Sequence, residues 1–270
     1  MLGLSFNRPI IMGIVNVTPD SFSDGGCFST NDDIVSHIEQ LISHGADIID
    51  IGAQSTRPGA ALISVQEGIE RLATIIPLFK QRFDCLLSLD TFYADVAKFG
   101  LENGVDIIND VSGLTYDSAM IETCAHYQAA VVIMHMNGAP KTMQDNPHYE
   151  DVMETVYSFL NQQIQRCTDV GIQQIMIDPG IGFGKTLDHN LSLLKNLATF
   201  KSLGYPLLIG TSRKSFINQI SPSDVDNRLG GSIASNLRAW QLGAQVFRVH
   251  DVFDIKQAFD VLLRLEDMSC

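Results

Sequence analysis

Eight short, near-continuous apolar runs, an amphipathic stretch after each, and an even composition across 270 residues predict a single (β/α)8 TIM barrel of the α/β class. A doubly wound open sheet shares the alternation. Eight units with no linker, low-complexity tract or composition break favour the barrel, so 1–270 reads as one domain.

The first strand is expected at 10–15 (IIMGIV). The first helix follows at 31–44, where Thr30 can cap the N-terminus and Asp33 stands three residues on, close to a capping box. The remaining strands are expected at 47–51 (DIIDI), 86–90 (LLSLD), 105–109 (VDIIN), 130–135 (AVVIMH), 174–178 (QIMID), 206–210 (PLLIG) and 245–249 (QVFRV). Their apolar residues are consecutive rather than alternating, as in parallel strands buried on both faces. Helical patterns fill 64–82, 93–103, 117–127, 148–170, 187–202, 228–243 and 254–266, several ending at a glycine that stops the helix. The longest irregular stretches, 16–30, 52–63 and 136–147, all follow strands.

Composition narrows the function. Hydrophobic residues make up 45% of the chain, and no run of about eighteen apolar residues appears, so no membrane span is expected. The N-terminal apolar run is too short for a signal peptide and reads as the first strand. The five cysteines (27, 85, 124, 167 and 270) are scattered, with no C-x-x-C pair, which points to a reducing cytoplasm rather than disulfides or structural zinc. A net charge of −13 argues against nucleic acid. An anionic small ligand would need a local positive cluster.

Such a cluster stands at the strand ends. Asn16, Asp50, Asp90, Asn109, His135, Asp178, the trio Ser212-Arg213-Lys214, and Arg248 with His250 each lie at or just past the C-terminal end of a predicted strand. In a barrel these ends share one face, where this fold builds its active sites. A buried unpaired charge is expensive, so several aspartates among Ile and Leu require partners or a ligand. Asp90, Asn109 and Asp178 offer acceptors and an amide. A carboxylate suits an amino-pyrimidinone edge, where N–H and NH2 lie side by side, and Lys214 can meet the carbonyl of the same ring. Arg57, Arg248 and His250 suit a phosphate or pyrophosphate. The expected ligand is a flat nitrogen heterocycle at one end and an anion at the other. Asp50 is expected at the barrel mouth, near that anion and a metal.

DPGIGFGKT (178–186) fails as a phosphate loop because Pro179 stands where G-x-x-x-x-G-K-[ST] needs glycine. It also misses G-x-G-x-x-G, since Lys185 takes the place of the third glycine. It reads as a tight glycine turn that lets a ring approach the backbone, with Phe183 available to stack. NVTPDSFSDGG (16–26) suits a mobile lid. Asn16 at its root could ligate a Mg2+ that also binds pyrophosphate oxygens.

Taken together, MGIVNVTPDSFSDGG, DIG-x-x-STRPG, SLDT, IIND, MHM-x-G-x-P-x-TMQ, DPG-x-GFGK, SRKS and RVHDV, in order from residue 12 to residue 252, resemble the dihydropteroate synthases of folate biosynthesis. The resemblance implies a usually dimeric (β/α)8 transferase, a target of sulfonamides. Its reaction joins 6-hydroxymethyl-7,8-dihydropterin pyrophosphate to p-aminobenzoate by a dissociative route with Mg2+. It implies a pterin site of Asp90, Asn109, Asp178 and Lys214 with Met134 and Phe183 as walls. It implies pyrophosphate and Mg2+ at Asn16, Arg57, Arg248 and His250, and p-aminobenzoate near Thr56, Pro58 and Ser215. Arg57, Asp90, Lys214, Arg248 and His250 are the expected catalytic set. The segments 16–30 and 52–63 would be its mobile loops. Ala53-Gln54 departs from the family's usual Gly-Glu, which bears on loop detail and the Mg2+ environment. Corrinoid methyltransferases with a similar pterin pocket have no need of STRPG, SRKS or RVH. A binding paralogue without turnover would have lost Arg57, Lys214 or Arg248, and all three are present.

Overall fold

A computed structural model describes residues 1–17, 30–54, 62–138 and 142–266. The strands are β1 (Ile10–Asn16), β2 (Ile48–Gly52), β3 (Leu86–Asp90), β4 (Ile107–Asp110), β5 (Ala130–Met134), β6 (Ile175–Asp178), β7 (Leu208–Ile209) and β8 (Val246–Val249). They run parallel in the order β6-β5-β4-β3-β2-β1-β8-β7. A parallel bridge between Ile177 and Leu207 brings the two ends of that order together and closes the predicted barrel.

The helices are α1 (Asn31–Ser43), α2 (Val65–Leu72), α3 (Ile75–Arg82), α4 (Ala94–Glu102), α5 (Met120–His126), α6 (Val152–Asp169), α7 (Leu187–Lys195), α8 (Ser215–Ile220), α9 (Leu229–Gln241) and α10 (Val252–Glu266). The Thr30–Asp33 capping box forms at α1. The helix expected over 64–82 is two helices. Pro77 has no N–H to donate, and its ring would strike the carbonyl of Ala73 in a continuous helix, so the chain breaks at residues 73 and 74. α6 starts at Val152 rather than 148, because the Asp151 carboxylate caps it by accepting from Met153 N and Glu154 N. The stretch 187–202 is α7 followed by a 3-10 segment, Leu197–Leu203. The six-residue α8 was not expected from the sequence.

Strand parity divides the barrel. Ile11, Ile49, Leu87, Ile108, Val131, Ile175 and Phe247 face outward into the core shared with the helices. Ile10, Met12, Ile48, Ile107, Ala130, Val132, Met176, Leu208 and Val246 fill the interior, with Met1, Leu2, Leu4 and Phe6 packed beside them. Both faces are buried, which is why the runs lacked alternation. Along the inward parity the chemistry changes upward: Ile48 gives way to Asp50, Leu86 to Ser88 and Asp90, Ile107 to Asn109, Met176 to Asp178, and Val246 to Arg248. An apolar floor thus supports a polar mouth.

Candidate active site

Asp50 is the centre of the polar layer. It is fully buried. It accepts from Ser88 Oγ at 2.6 Å, from Asn109 Nδ2 at 3.1 Å and from Arg248 Nε at 2.6 Å. Arg248 Nη2 donates to Asp90 Oδ2 at 2.9 Å, so one guanidinium spans two carboxylates from β2 and β3. Asp50, expected near an anion and a metal, has its charge matched within this interior network, chiefly by Arg248. A buried ion pair is tolerable when, as at Asp50, further hydrogen bonds satisfy the remaining lone pairs. Asp90 is less fully served. Its Oδ1 is buried without a partner among the described residues, and burial pushes its pKa up against the pull of Arg248.

The expected heterocycle face is assembled in one place. Asn109 and Asp178 are buried. Asp178 sits beside Met134 in the β5–β6 register. Met134 forms a small apolar patch with Phe92 and Val111, against which Phe183 packs. Lys214 Nζ lies 4.0 Å from the centroid of the Phe183 ring, a cation–π contact. Burial pushes the Asp178 carboxyl up to about 6, while Gly180 N–H, Lys214 and Lys185 hold it down.

The turn after β6 has the tightness read from its glycines. Gly180 has φ +71°, and a Cβ there would meet the His135 carbonyl oxygen at 1.9 Å. The turn is tied on every side. Gly180 N donates to Asp178 Oδ1 at 2.7 Å, Gly182 N to Asn190 Oδ1 at 2.7 Å, and Gln144 Nε2 donates to Gly182 O at 2.6 Å. Lys185, the last residue of DPG-x-GFGK and given no role from the sequence, is 3% exposed and buried against β5. Its Nζ lies 3.0 Å from His135 Nδ1, 3.2 Å from His135 O and 3.0 Å from Phe183 O. His135 therefore belongs to the scaffold. Its ring packs edge-on against Phe159, and burial with the neighbouring Lys185 pushes its pKa down to about 3.

On the anion side, His250 packs over Ser212. The Ser212 oxygen lies 3.1 Å from His250 Nδ1 and accepts from His250 N at 3.2 Å. Arg213 leaves the mouth: at φ 56° it turns away and pairs with Asp251 and Asp226. Lys214 next to it faces Phe183, and exposed Ser215 opens α8. Asn16 ends β1 beside Gly52, two strands from Asp90. Gln54 Oε1 accepts from Ile63 N at 3.3 Å and so ties together the two stems of the 52–63 loop. Arg57, Thr56 and Pro58, and most of the expected 16–30 loop, lie outside the described residues. Asp110, adjacent to Asn109, has the opposite parity. It caps a turn by accepting from Ser112 N at 2.7 Å, and burial pushes it up to about 7.

An acceptor set, a stacking ring and a cationic rim at the C-terminal mouth of a (β/α)8 barrel define a pterin-binding enzyme. The profile of the family described as "Pterin binding enzyme" matches residues 12–250. The chain is 44% identical over 261 residues to the dihydropteroate synthase of Escherichia coli K12, covering 96% of this chain and 92% of that one. A Yersinia pestis dihydropteroate synthase in a sulfonamide drug complex superposes with a TM-score of 0.93 at 42% identity, over 98% of this chain and 96% of that one. A Xanthomonas albilineans dihydropteroate synthase in complex with 7,8-dihydropteroate gives 0.88 at 36% identity, over 98% and 97%. The chain belongs to the dihydropteroate synthase family of transferases.

Proposed function

We propose that the protein joins 6-hydroxymethyl-7,8-dihydropterin pyrophosphate to p-aminobenzoate, giving 7,8-dihydropteroate and pyrophosphate. The observation that carries this is the meeting, on one barrel mouth, of Asp178, Asn109 and the Phe183–Lys214 stack with Arg248 and His250. The first group suits the amino-pyrimidinone edge and face of a pterin, the second an anion. The sulfonamide drug in the Yersinia structure and the 7,8-dihydropteroate in the Xanthomonas structure support the two substrates.

In this reading the carbon–oxygen bond to pyrophosphate breaks first. The ring nitrogens delocalise the positive charge left on the methylene carbon. The amine of p-aminobenzoate then forms the carbon–nitrogen bond and loses a proton to solvent. Arg248, His250 and Arg57 stabilise the departing charge. A cationic ring beside Asp90 favours its ionised form and opposes the effect of burial. Thr56, Pro58 and Ser215 are read as the p-aminobenzoate contacts.

The residues fit a magnesium ion that arrives with its phosphate. Among the described residues no group of three acidic, histidine or cysteine side chains could hold a metal alone, and Asp50 and Asp90 are committed to Arg248. The amide oxygen of Asn16 is a suitable single hard ligand. When bound, Mg2+ would neutralise charge on the leaving oxygens.

We read the enzyme as a cytoplasmic homodimer. The exposed stripe of Phe253, Val261 and Leu265 on α10 supports pairing, and free Cys85, Cys124 and Cys167 support a reducing compartment. No described helix is long and apolar enough to cross a membrane. The test of function is pyrophosphate release from the pterin substrate, with and without p-aminobenzoate. Release with stoichiometric dihydropteroate is expected when both are present; no release would overturn the reading.

A further inference from the structure

Lys185 is buried and has no place in the chemistry above, yet its ammonium donors are matched one to one. A protonated lysine carries three N–H bonds, and three atoms able to accept them surround Nζ: His135 O at 3.2 Å, Phe183 O at 3.0 Å and, in the tautomer protonated at Nε2, His135 Nδ1 at 3.0 Å. His135 directly follows β5, and Phe183 crowns the turn after β6. The lysine therefore fastens the backbone of Phe183 to the neighbouring strand end. The ring of that same residue lies under Lys214 Nζ and packs on the Met134 patch.

Glycines leave the turn without side-chain wedges, so hydrogen bonds hold it, and those from Lys185 are the ones that reach the Phe183 carbonyl from the β5 end. Gly180 and Gly184 have no side chains to wedge the loop in place, and their backbones press directly on His135 O and Asn137 O. We infer that Lys185 is a positioning residue for the pterin: it holds Phe183, and through that ring Lys214, where they can take the face and carbonyl of the heterocycle. This rests on the proposed pterin chemistry of the site.

The charged groups facing Lys185 agree with the role. Asp178 from the end of β6 favours the ammonium, whereas Lys214 beyond β7 opposes it. His189 on α7 is also within its field, and His135 after β5 is its direct partner. Burial outweighs the Asp178 carboxylate and, with Lys214, brings the lysine down to about 7.

The test is a double-mutant cycle in the full-length enzyme. Lys185→Met keeps the aliphatic stem and removes the donors. Calorimetry is run with the pterin pyrophosphate and with a pterin lacking phosphate. The expected result is a loss of about tenfold for both pterins, with the KM for p-aminobenzoate within about twofold of wild type. In a Phe183→Ala background the same substitution should cost less than about twofold, because the group through which it acts is gone. An equal loss in both backgrounds would overturn the inference, as would lowered thermal stability with unchanged pterin affinity. Relaxation of a 13C-labelled Phe183 ring judges the fastening without any substrate. The ring should be ordered in wild type and mobile in Lys185→Met; an unchanged ring also overturns the inference. A wild type that binds neither pterin, with a ring that does loosen, would instead sink the functional reading and leave the fastening standing.

Discussion

Asp50→Ala is the most demanding perturbation of the interior network. It removes a fully buried carboxylate and leaves Ser88, Asn109 and Arg248 each short of an acceptor. Removing one member of a buried ion pair typically costs ~3–5 kcal/mol. Two features place the value near the middle of that range. Arg248 keeps Asp90 as a partner and is 21% exposed at its side chain, which limits the loss. Ser88 and Asn109 are buried, and each unsatisfied polar group adds ~1–3 kcal/mol unless it rearranges. A destabilisation of about 4 kcal/mol is expected. Urea unfolding followed by circular dichroism measures it. With a slope of about 3 kcal/mol per molar, the midpoint should fall by more than ~1 M. Asp50→Asn keeps the volume and one carbonyl acceptor while losing the charge, and should fall between wild type and alanine. A loss below about 1 kcal/mol for Asp50→Ala at unchanged slope would refute the reasoning, because it would mean the three partners do not depend on this carboxylate.

Two further outcomes follow from the same site. In the proposed reading Asp178 accepts from the pterin as a carboxylate, and burial pushes its pKa up to about 6, so pterin affinity should rise with pH through 6 and level off above it. Stability should run the other way: the native state binds more protons than an unfolded chain with a carboxyl pKa of about 3.9, so this group's contribution is lost as pH rises from ~4 through 6. Calorimetric titration across pH 5–8 checks the first, and a flat affinity profile would exclude Asp178 as the acceptor. Gln54→Glu keeps an oxygen for Ile63 N but adds a negative charge to a residue that lines, with Asp90, a cavity of ≈ 20 Å³. Loop closure should survive while the acidic limb of the pterin kcat/KM profile moves to higher pH by about one unit; an unmoved limb would show that the two side chains do not sense each other.

The barrel was legible because eight apolar runs each led into an amphipathic stretch, and its mouth because a polar residue stood at or just past each run. Asp90, Asn109 and Asp178 could be read as one set before their neighbours were known. The pairing inside the set was not legible. Arg248 and Asp50 lie 198 positions apart, and nothing local in RVHDV or DIIDI says that the arginine crosses β1 to reach β2. Ser88 carried a signal that went unused: it breaks the apolar run LLSLD at the same parity as Asp90. Adjacent residues also part company in ways spacing cannot foresee. Arg213 and Lys214 read as one basic trio with Ser212, yet the left-handed turn at 213 sends the first to Asp251 and the second to Phe183. His135 and Lys185 show the same limit in reverse. A histidine at a strand end looked like chemistry and a lysine after a glycine turn looked incidental, because direction and burial decide the role and composition does not report them.

The closure of the barrel is uneven. Neighbouring strands elsewhere share ladders of several residues, but β6 meets the other side through the Ile177–Leu207 bridge, and β7 is only Leu208–Ile209. Asp178 stands on one bank of that seam and Lys214 beyond the other. The two groups that would grip opposite parts of one flat ring are thus mounted across the thinnest joint of the hoop. Their separation is governed by side-chain and turn contacts rather than by a hydrogen-bonded ladder, so a small parting of that joint would widen the jaws without unpicking the rest of the sheet.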